Sequence, residues 1–483
     1  MERRAFLGAS GAAGLALSVP GVAASRTSAT IARRQDAYEP LGQLPITGAA
    51  EAVVGDDGDT AYVAATTGFA VVDISDPAEP SLLAEERDIE IDGVALTQLL
   101  DLTVDGDRLV VAGPAEPTQS TGEFLGFRCY DVSDPAAPVP IGDRETGYHI
   151  HNCYLEGELL FVAANAIREN RLEIFDIGGD EFTWVGYWSL LDHEPGWRDI
   201  HWLARYLHDV YVQDGTAYLP FWNAGTYLID VSDPSAPEYV SHVATTTLEE
   251  QREIPNYREA VFGLPGNDHY AAVDEAGDLM AVGREAWATG GEEPDHPGGI
   301  DLYDVSDPAD PTPQGSIDAP RTADESHGGG TWTTAHNFEL RDGRLYSAWY
   351  RGGVKIHDVS DPAAPEQLTW WRDPEMTGFW TARVADPETA FVATSTEAIP
   401  NTSLEGALYT FPTEPGEQAD PPSLSDAAET NGDAEANETD DANESDENDS
   451  SGDDSIPGFT SAVGLVGGGV ALEWLRRRGN VQD

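Results

Sequence analysis

The chain has 483 residues, with 87 acidic side chains against 26 basic ones and a formal charge of −61 at pH 7. That balance argues against nucleic acid or anionic lipid head groups as partners, because no basic patch is there to displace counterions. With 40% hydrophobic residues and 12 Trp it is equally not a disordered acidic chain. Concentrated salt screens such self-repulsion, the Debye length being about 3 Å at 1 M, so the composition, with Lys355 its one lysine, reads as halophilic.

In chain order, Arg3-Arg4-Ala-Phe6-Leu7 and a weakly apolar Gly/Ala-rich stretch to Ala24 resemble a twin-arginine export signal, residues 1–24, with Val22-Ala23-Ala24 as the small residues before cleavage. Such export carries folded protein.

From residue 38 a repeat takes over. Asp-(Val/Ile)-Ser-Asp-Pro-x-x-Pro occurs at Asp73–Pro80, Asp131–Pro138, Asp230–Pro237, Asp304–Pro311 and Asp358–Pro365, each after a short alternating apolar run such as Tyr227-Leu228-Ile229. This is a strand ending in a turn, where Ser and Asp bond nearby amides and the first Pro fixes φ. The second Pro opens a strand tolerable only at a sheet edge. Degenerate copies at Ile174–Ile177 and Leu408–Phe411 raise the count to seven, at intervals of 45 to 74 residues, and the longest interval holds an insertion before Asp304. Around the best copy, strands are expected from His208, over Thr216 to Trp222, over Thr226 to Val231 and over Glu238 to Val243, which make one four-stranded blade. The last unit stops at its third strand, and Tyr38–Pro45 reads like the missing fourth. The expectation is an all-β, seven-bladed β-propeller over residues 38–414, closed by an N-terminal strand.

These residues resemble the LVIVD-repeat proteins, whose repeat has the form Gly-x-Leu-Val-Ile-Val-Asp-Val-Ser-Asp-Pro. The resemblance implies a propeller and no single activity, so function has to come from the site. Cys129 and Cys153 fall in adjacent blades and read as small buried hydrophobes more readily than as a disulfide.

Residues 415–455 are Asp, Glu, Asn, Ser and Pro, a stalk unable to bury a core, with glycosylation acceptors at Asn437, Asn443 and Asn448 and a fourth at Asn401. Pro457-Gly458-Phe459, an apolar Gly-rich stretch and Arg476-Arg477-Arg478 make segment 456–478 similar to a PGF-type archaeal sorting signal. The similarity implies a sortase-like processing enzyme and a membrane lipid as partners, and a protein held at the extracellular face of the cell surface. Glu473 and the short apolar run depart from that pattern, and retention as a weak membrane anchor is the alternative.

Aligning the starts of the first strands gives the column Glu51, Leu100, His151, His208, His269, His336 and Thr381, with one-residue gaps for His151 and His269. Such positions surround one mouth of a propeller channel. Four imidazoles there suit copper, zinc or iron, with His149 as an added ligand or supporting residue and the following Asn152, Asp209 and Asn337 fixing tautomers. Seven-bladed copper proteins of the selenium-binding, methanethiol-oxidising type offer an analogy in their axial histidines. The alternative is that His-(Asn/Asp) belongs to the repeat and ties blades together. The segment bearing His193, Glu194, Trp197, His201 and Trp202 is expected over the same mouth, as a lid or as packing. The Asp of each turn fits backbone capping rather than calcium, and Gly328-Gly329-Gly330 lacks the helix and Lys of a phosphate loop. No nucleophile elbow, paired-carboxylate motif or dinucleotide fingerprint is present. Two functions follow: a surface propeller binding a protein, glycan or small ligand at the channel mouth, or a metal-dependent extracellular oxidoreductase using His151, His208, His269 and His336.

Overall fold

The computed structural model describes residues 37–424, apart from 117–121, 167, 168, 180, 255, 292, 293 and 401. The export signal, the stalk beyond 424, the sorting segment and all four glycosylation acceptors lie outside the described residues.

Seven four-stranded antiparallel sheets follow one another along the chain. Blades 1 to 6 occupy residues 52–86, 101–145, 149–189, 211–243, 268–317 and 338–371. Blade 7 combines Phe379–Asp386, Ala390–Ser395 and Ala407–Pro412 with Gly42–Pro45, which pairs from Gly42↔Thr410 to Pro45↔Ala407 and closes the ring. Tyr38 lies outside that strand. Its amide bonds the Glu417 carbonyl and its hydroxyl the Pro412 carbonyl, each across the seam.

The repeat chemistry explains the blade. Third strands such as Phe69–Asp73 and Thr226–Asp230 are buried almost throughout, as their apolar runs require. At the turn that follows, Asp73 Oδ1 accepts from the Ser75 amide and hydroxyl at 3.0 and 2.6 Å, and Asp76 from the Ala78 amide. Asp230–Ser232, Asp304–Ser306 and Asp358–Ser360 repeat the pair. The recurrent aspartates are therefore turn caps. The Pro after each turn leads into an exposed outer strand such as Ser81–Glu86 or Glu366–Trp371. A register shift between third and fourth strands recurs in blades 1 to 6 and adds the local twist that a blade needs. Gly186 and Gly315 in outer strands are packed so closely on the Pro234 and Pro362 carbonyls of the next blade that a Cβ would collide with them.

The core lies between blades rather than within them. Separate apolar clusters fill the joints of blades 2 and 3, 3 and 4, 4 and 5, 5 and 6, 6 and 7, and 7 and 1. Cys129 and Cys153 are free, buried members of the cluster between blades 2 and 3. A further cluster joins blades 1 and 2 to a cap that includes Tyr206, Trp222, Trp287, Trp332, Tyr350 and Trp380. The insertion between blades 4 and 5 holds two short helices, Leu248–Glu253 and Tyr257–Phe262. One boundary differs from expectation. Residues 415–424, placed by composition in the stalk, are described against the ring: Arg372 donates to the Pro422 carbonyl, Gln418 bonds both the amide and the carbonyl of Arg372, and Leu424 is buried.

Candidate metal centre

The expected column is a ring in space. Glu51, Leu100, His151, His208, His269, His336 and Thr381 are all buried, and the four imidazoles form a continuous arc. Ring centroids are 4.1 Å apart for His151 and His208, 3.9 Å for His208 and His269, and 4.4 Å for His269 and His336. The gaps that the alignment required are β-bulges: pairing shifts between Ile150 and Cys153 and between Asp268 and Tyr270, where the extra residue turns the His side chain toward the axis.

The residue after each ring position ties the blades together. Asp101 Oδ2 accepts the Cys153 amide of the next blade at 2.8 Å, and Asn152 Oδ1 the Val210 amide at 3.0 Å. Asp209 caps its own neighbour, Val210. Asp101 and Asn152 thus staple neighbouring blades, and Asn337, expected to orient an imidazole, donates to Glu51. His336 is fixed instead by the backbone, with Nδ1 2.6 Å from the Trp380 carbonyl, which leaves Nε2 for the axis. His149 stands outside the arc, half-buried and within the field of Glu123; the bulge breaks the alternation that would have aligned it with His151.

A carboxylate joins the imidazoles that the sequence did not reveal. Ligand atoms of His208, His269 and Glu285 lie within 4.8 Å of one another, and His269 Nε2 is 3.9 Å from Glu285 Oε2. His269 is 1% exposed and Glu285 0%. Neither imidazole nitrogen of His269, nor Oε2 of Glu285, has a hydrogen-bond partner among the described residues. The other Glu285 oxygen accepts from the Tyr350 hydroxyl at 2.5 Å. Burial pushes the Glu285 carboxyl up to about 8. Burial, reinforced by neighbouring imidazoles, drives His151, His208 and His269 well below the usual range, and burial lowers His336 to about 3. The imidazoles are thus neutral, which is the form that binds metal.

Glu285 was hidden because it sits one residue past its strand. Second strands of blades 4, 5 and 6 lead into Phe221-Trp222, Arg284-Glu285 and Trp349-Tyr350, with the Phe221, Arg284 and Trp349 amides bonded to the Gly225, Gly299 and Gly353 carbonyls. Aligning those Gly-closed ends would have given a second column, Trp222–Glu285–Tyr350. Trp222 stacks on His208 at 5.4 Å, and Tyr350 and Trp380 lie 4.7 and 4.2 Å from His336. With Tyr206 and Trp332 they make an aromatic roof. Of the segment expected there, Trp202 reaches the roof beside Tyr206, whereas His193 stacks on Tyr239 of an outer strand and Trp197 fills the joint of blades 3 and 4.

The chamber enclosed by the arc has a volume of about 10 Å³, room for one water or one ion. On the side away from the roof, a funnel of about 600 Å³ opens between the first strands, lined by Tyr154, Tyr211, Tyr270, Asp101, Asp209 and Arg383 among others. Arg383 is held by Glu51 at 2.9 Å, the Tyr270 hydroxyl and the Phe338 carbonyl, while Thr381 and Asn337 complete the hydrogen bonds of Glu51.

The LVIVD repeat family matches residues 54–85 and 204–245, within blade 1 and around blade 4, so the chain carries LVIVD repeats. No curated protein matches the sequence. Among solved structures, the β-propeller domain of Cps50 (Swd1) from Myceliophteria thermophila is similar at 8% identity, over 78% of this chain and 99% of that one, with a TM-score of 0.53. Hsv2 from Kluyvelomyces marxianus is similar at 7% identity, over 72% and 89%, with a TM-score of 0.44. The first of these shows the propeller fold alone.

Proposed function

We propose that this protein is an exported, surface-held propeller that carries one divalent first-row metal ion on its axis, with His208, His269 and Glu285 as ligands and His151 and His336 completing the imidazole wall. The observation that carries the reading is the pairing of His269 with Glu285, both fully buried and with three polar atoms unpartnered among the described residues. A buried polar atom left unsatisfied costs about 1–3 kcal/mol, and an ion between the two would satisfy Glu285 Oε2 and the facing Nε2 of His269 together. Two imidazoles and a carboxylate suit zinc or iron(II), and a further imidazole would suit copper.

Chamber size bears on the two functions that the sequence left open. A volume of about 10 Å³ admits an ion and no organic substrate, which favours metal holding over an enzyme that docks its substrate on the metal. A small ligand bound in the funnel is the second reading, supported by a funnel volume of about 600 Å³, within the size range of ligand pockets. Display at the cell surface rests on the terminal signals, with a sortase-like enzyme and a membrane lipid as the partners in anchoring.

Elemental mass spectrometry on protein taken from the membrane fraction in molar salt tests the proposal, with about one zinc, iron or copper per chain expected for a single such site. Protein without stoichiometric metal before and after incubation with each ion would overturn the metal reading. Recovery from the cytosol alone would overturn surface display.

A further inference from the structure

The two sides of the imidazole arc differ in what an approaching ion would meet. Toward the cap stand Tyr206, Trp222, Trp332, Tyr350 and Trp380, none more than 3% exposed. A hydrated cation crossing that aromatic layer would give up its water with only the Glu285 carboxyl, already bonded to Tyr350, to replace it. Toward the funnel, four side chains line both the funnel and the chamber and so form the wall between them: Glu51, Asp101, Asn152 and Asp209.

Two of the four are committed to the fold. Glu51 is saturated by Arg383, Thr381 and Asn337, and Asn152 accepts the Val210 amide. Asp101 also ties its blade to the next, but it and Asp209 bring carboxylate oxygens to the funnel floor. Each is set against a backbone amide, Cys153 for the first and Val210 for the second, and neither forms an ion pair among the described residues. Directly beyond them is His269, with both ring nitrogens unpartnered among the described residues.

We propose that Asp101 and Asp209 form a loading stage, at which a divalent cation descending the funnel exchanges water for carboxylate oxygen before passing to the imidazole nitrogens. The inference rests on the metal reading above. Its direction follows from donor preference, since zinc, iron(II) and copper(II) are better held by imidazole than by carboxylate and water. The stage is therefore a route, and the imidazole site remains the destination.

The test is the rate of zinc uptake by the metal-free full chain in molar salt, read by stopped flow with a chromogenic zinc indicator, beside an Asp101→Asn/Asp209→Asn variant. The expected result is uptake slowed at least about tenfold, since a tenfold rate change corresponds to a barrier difference of only about 1.4 kcal/mol, with the final zinc content unchanged. An unchanged rate would overturn the route and leave the site standing. Absence of zinc from wild-type protein would overturn the site, and the route with it. If the variant does not fold, wild-type protein decides. Hexaamminecobalt(III), an inert trivalent cation too large for the chamber, is expected to slow zinc uptake by occupying the funnel floor, and equal rates with and without it would overturn the route.

Discussion

The ring of seven equivalent positions divides into two arcs. In blades 7 and 1 the position is filled by Thr381 and Glu51, whose polar atoms close on one another, on Asn337 and on the half-buried Arg383. In blade 5 it is filled by His269, as deeply buried and with neither ring nitrogen hydrogen-bonded among the described residues. The backbone places both arcs in the same way. What differs is whether the protein satisfies the side chain at the ring position: Glu51 is fully paired, whereas His269 has no hydrogen bond to either ring nitrogen among the described residues. Asp101 and Asn152 bond the neighbouring blade, and His336 does so through a side-chain contact to the Trp380 carbonyl.

The largest effect is expected at the paired arc. Glu51→Ala would leave the half-buried Arg383 guanidinium without its carboxylate, and loss of such charged hydrogen bonds costs about 1.5–3 kcal/mol. Chemical denaturation in molar salt is expected to register a loss of that size, whereas a loss under about 1 kcal/mol would mean that Glu51 does not pair its arc. A pH series on metal-free protein sharpens the other arc. The folded state keeps the Glu285 proton to about 8, above the ordinary carboxyl value from which its burial raises it. The unfolded chain therefore binds fewer protons through that window, and stability falls as pH rises. The advantage of Glu285→Gln over wild type is expected to be larger at pH 8 than at pH 5, and a constant difference would contradict the buried carboxyl. His336 works in the opposite sense: its folded value is about 3 against an ordinary 6.5, so its contribution is lost as pH falls from about 6.5 toward 3, and His336→Asn is expected to flatten the acid limb of the same curve.

Smaller effects test His269 and the turns. His269→Leu removes two unpartnered nitrogens and keeps an apolar body of similar size, so the metal-free protein is expected to stay within about 1 kcal/mol of wild type. The same variant is expected to bind zinc more weakly by more than the roughly 10–100-fold typical of residues that only orient ligands. Last comes Ser232→Ala. It deletes one of the repeated hydroxyl contacts to Asp230, and on an exposed turn the expected cost is at most about 0.5 kcal/mol.

Fold and site were not equally legible. Seven blades could be counted because each Ser-Asp-Pro turn announces the end of a third strand, and even the closing strand could be placed, since Gly42–Pro45 must pair with Ala407–Pro412 if no edge is to stay open. The histidine column was legible for the same reason, and its two gaps at His151 and His269 correspond to bulges that a regular repeat cannot express. Glu285 was not legible. It lies outside the turn motif, at the end of a second strand where the equivalent residues are Trp222 and Tyr350, and nothing in a mixed column of Trp, Glu and Tyr announces a ligand. The start of the stalk was misplaced because composition reports the capacity to form a core, whereas residues 415–424 are held by bonds from Arg372, Gln418 and Tyr38 that need no core of their own.

A metal ion held by His208, His269 and Glu285 would show by anomalous diffraction at the zinc edge from crystals of the zinc-incubated protein. One strong anomalous peak is expected beside the imidazole arc, within bonding distance of the nitrogens of His208 and His269 and of a Glu285 oxygen. A map without a peak there, with zinc found only among surface carboxylates, would contradict it.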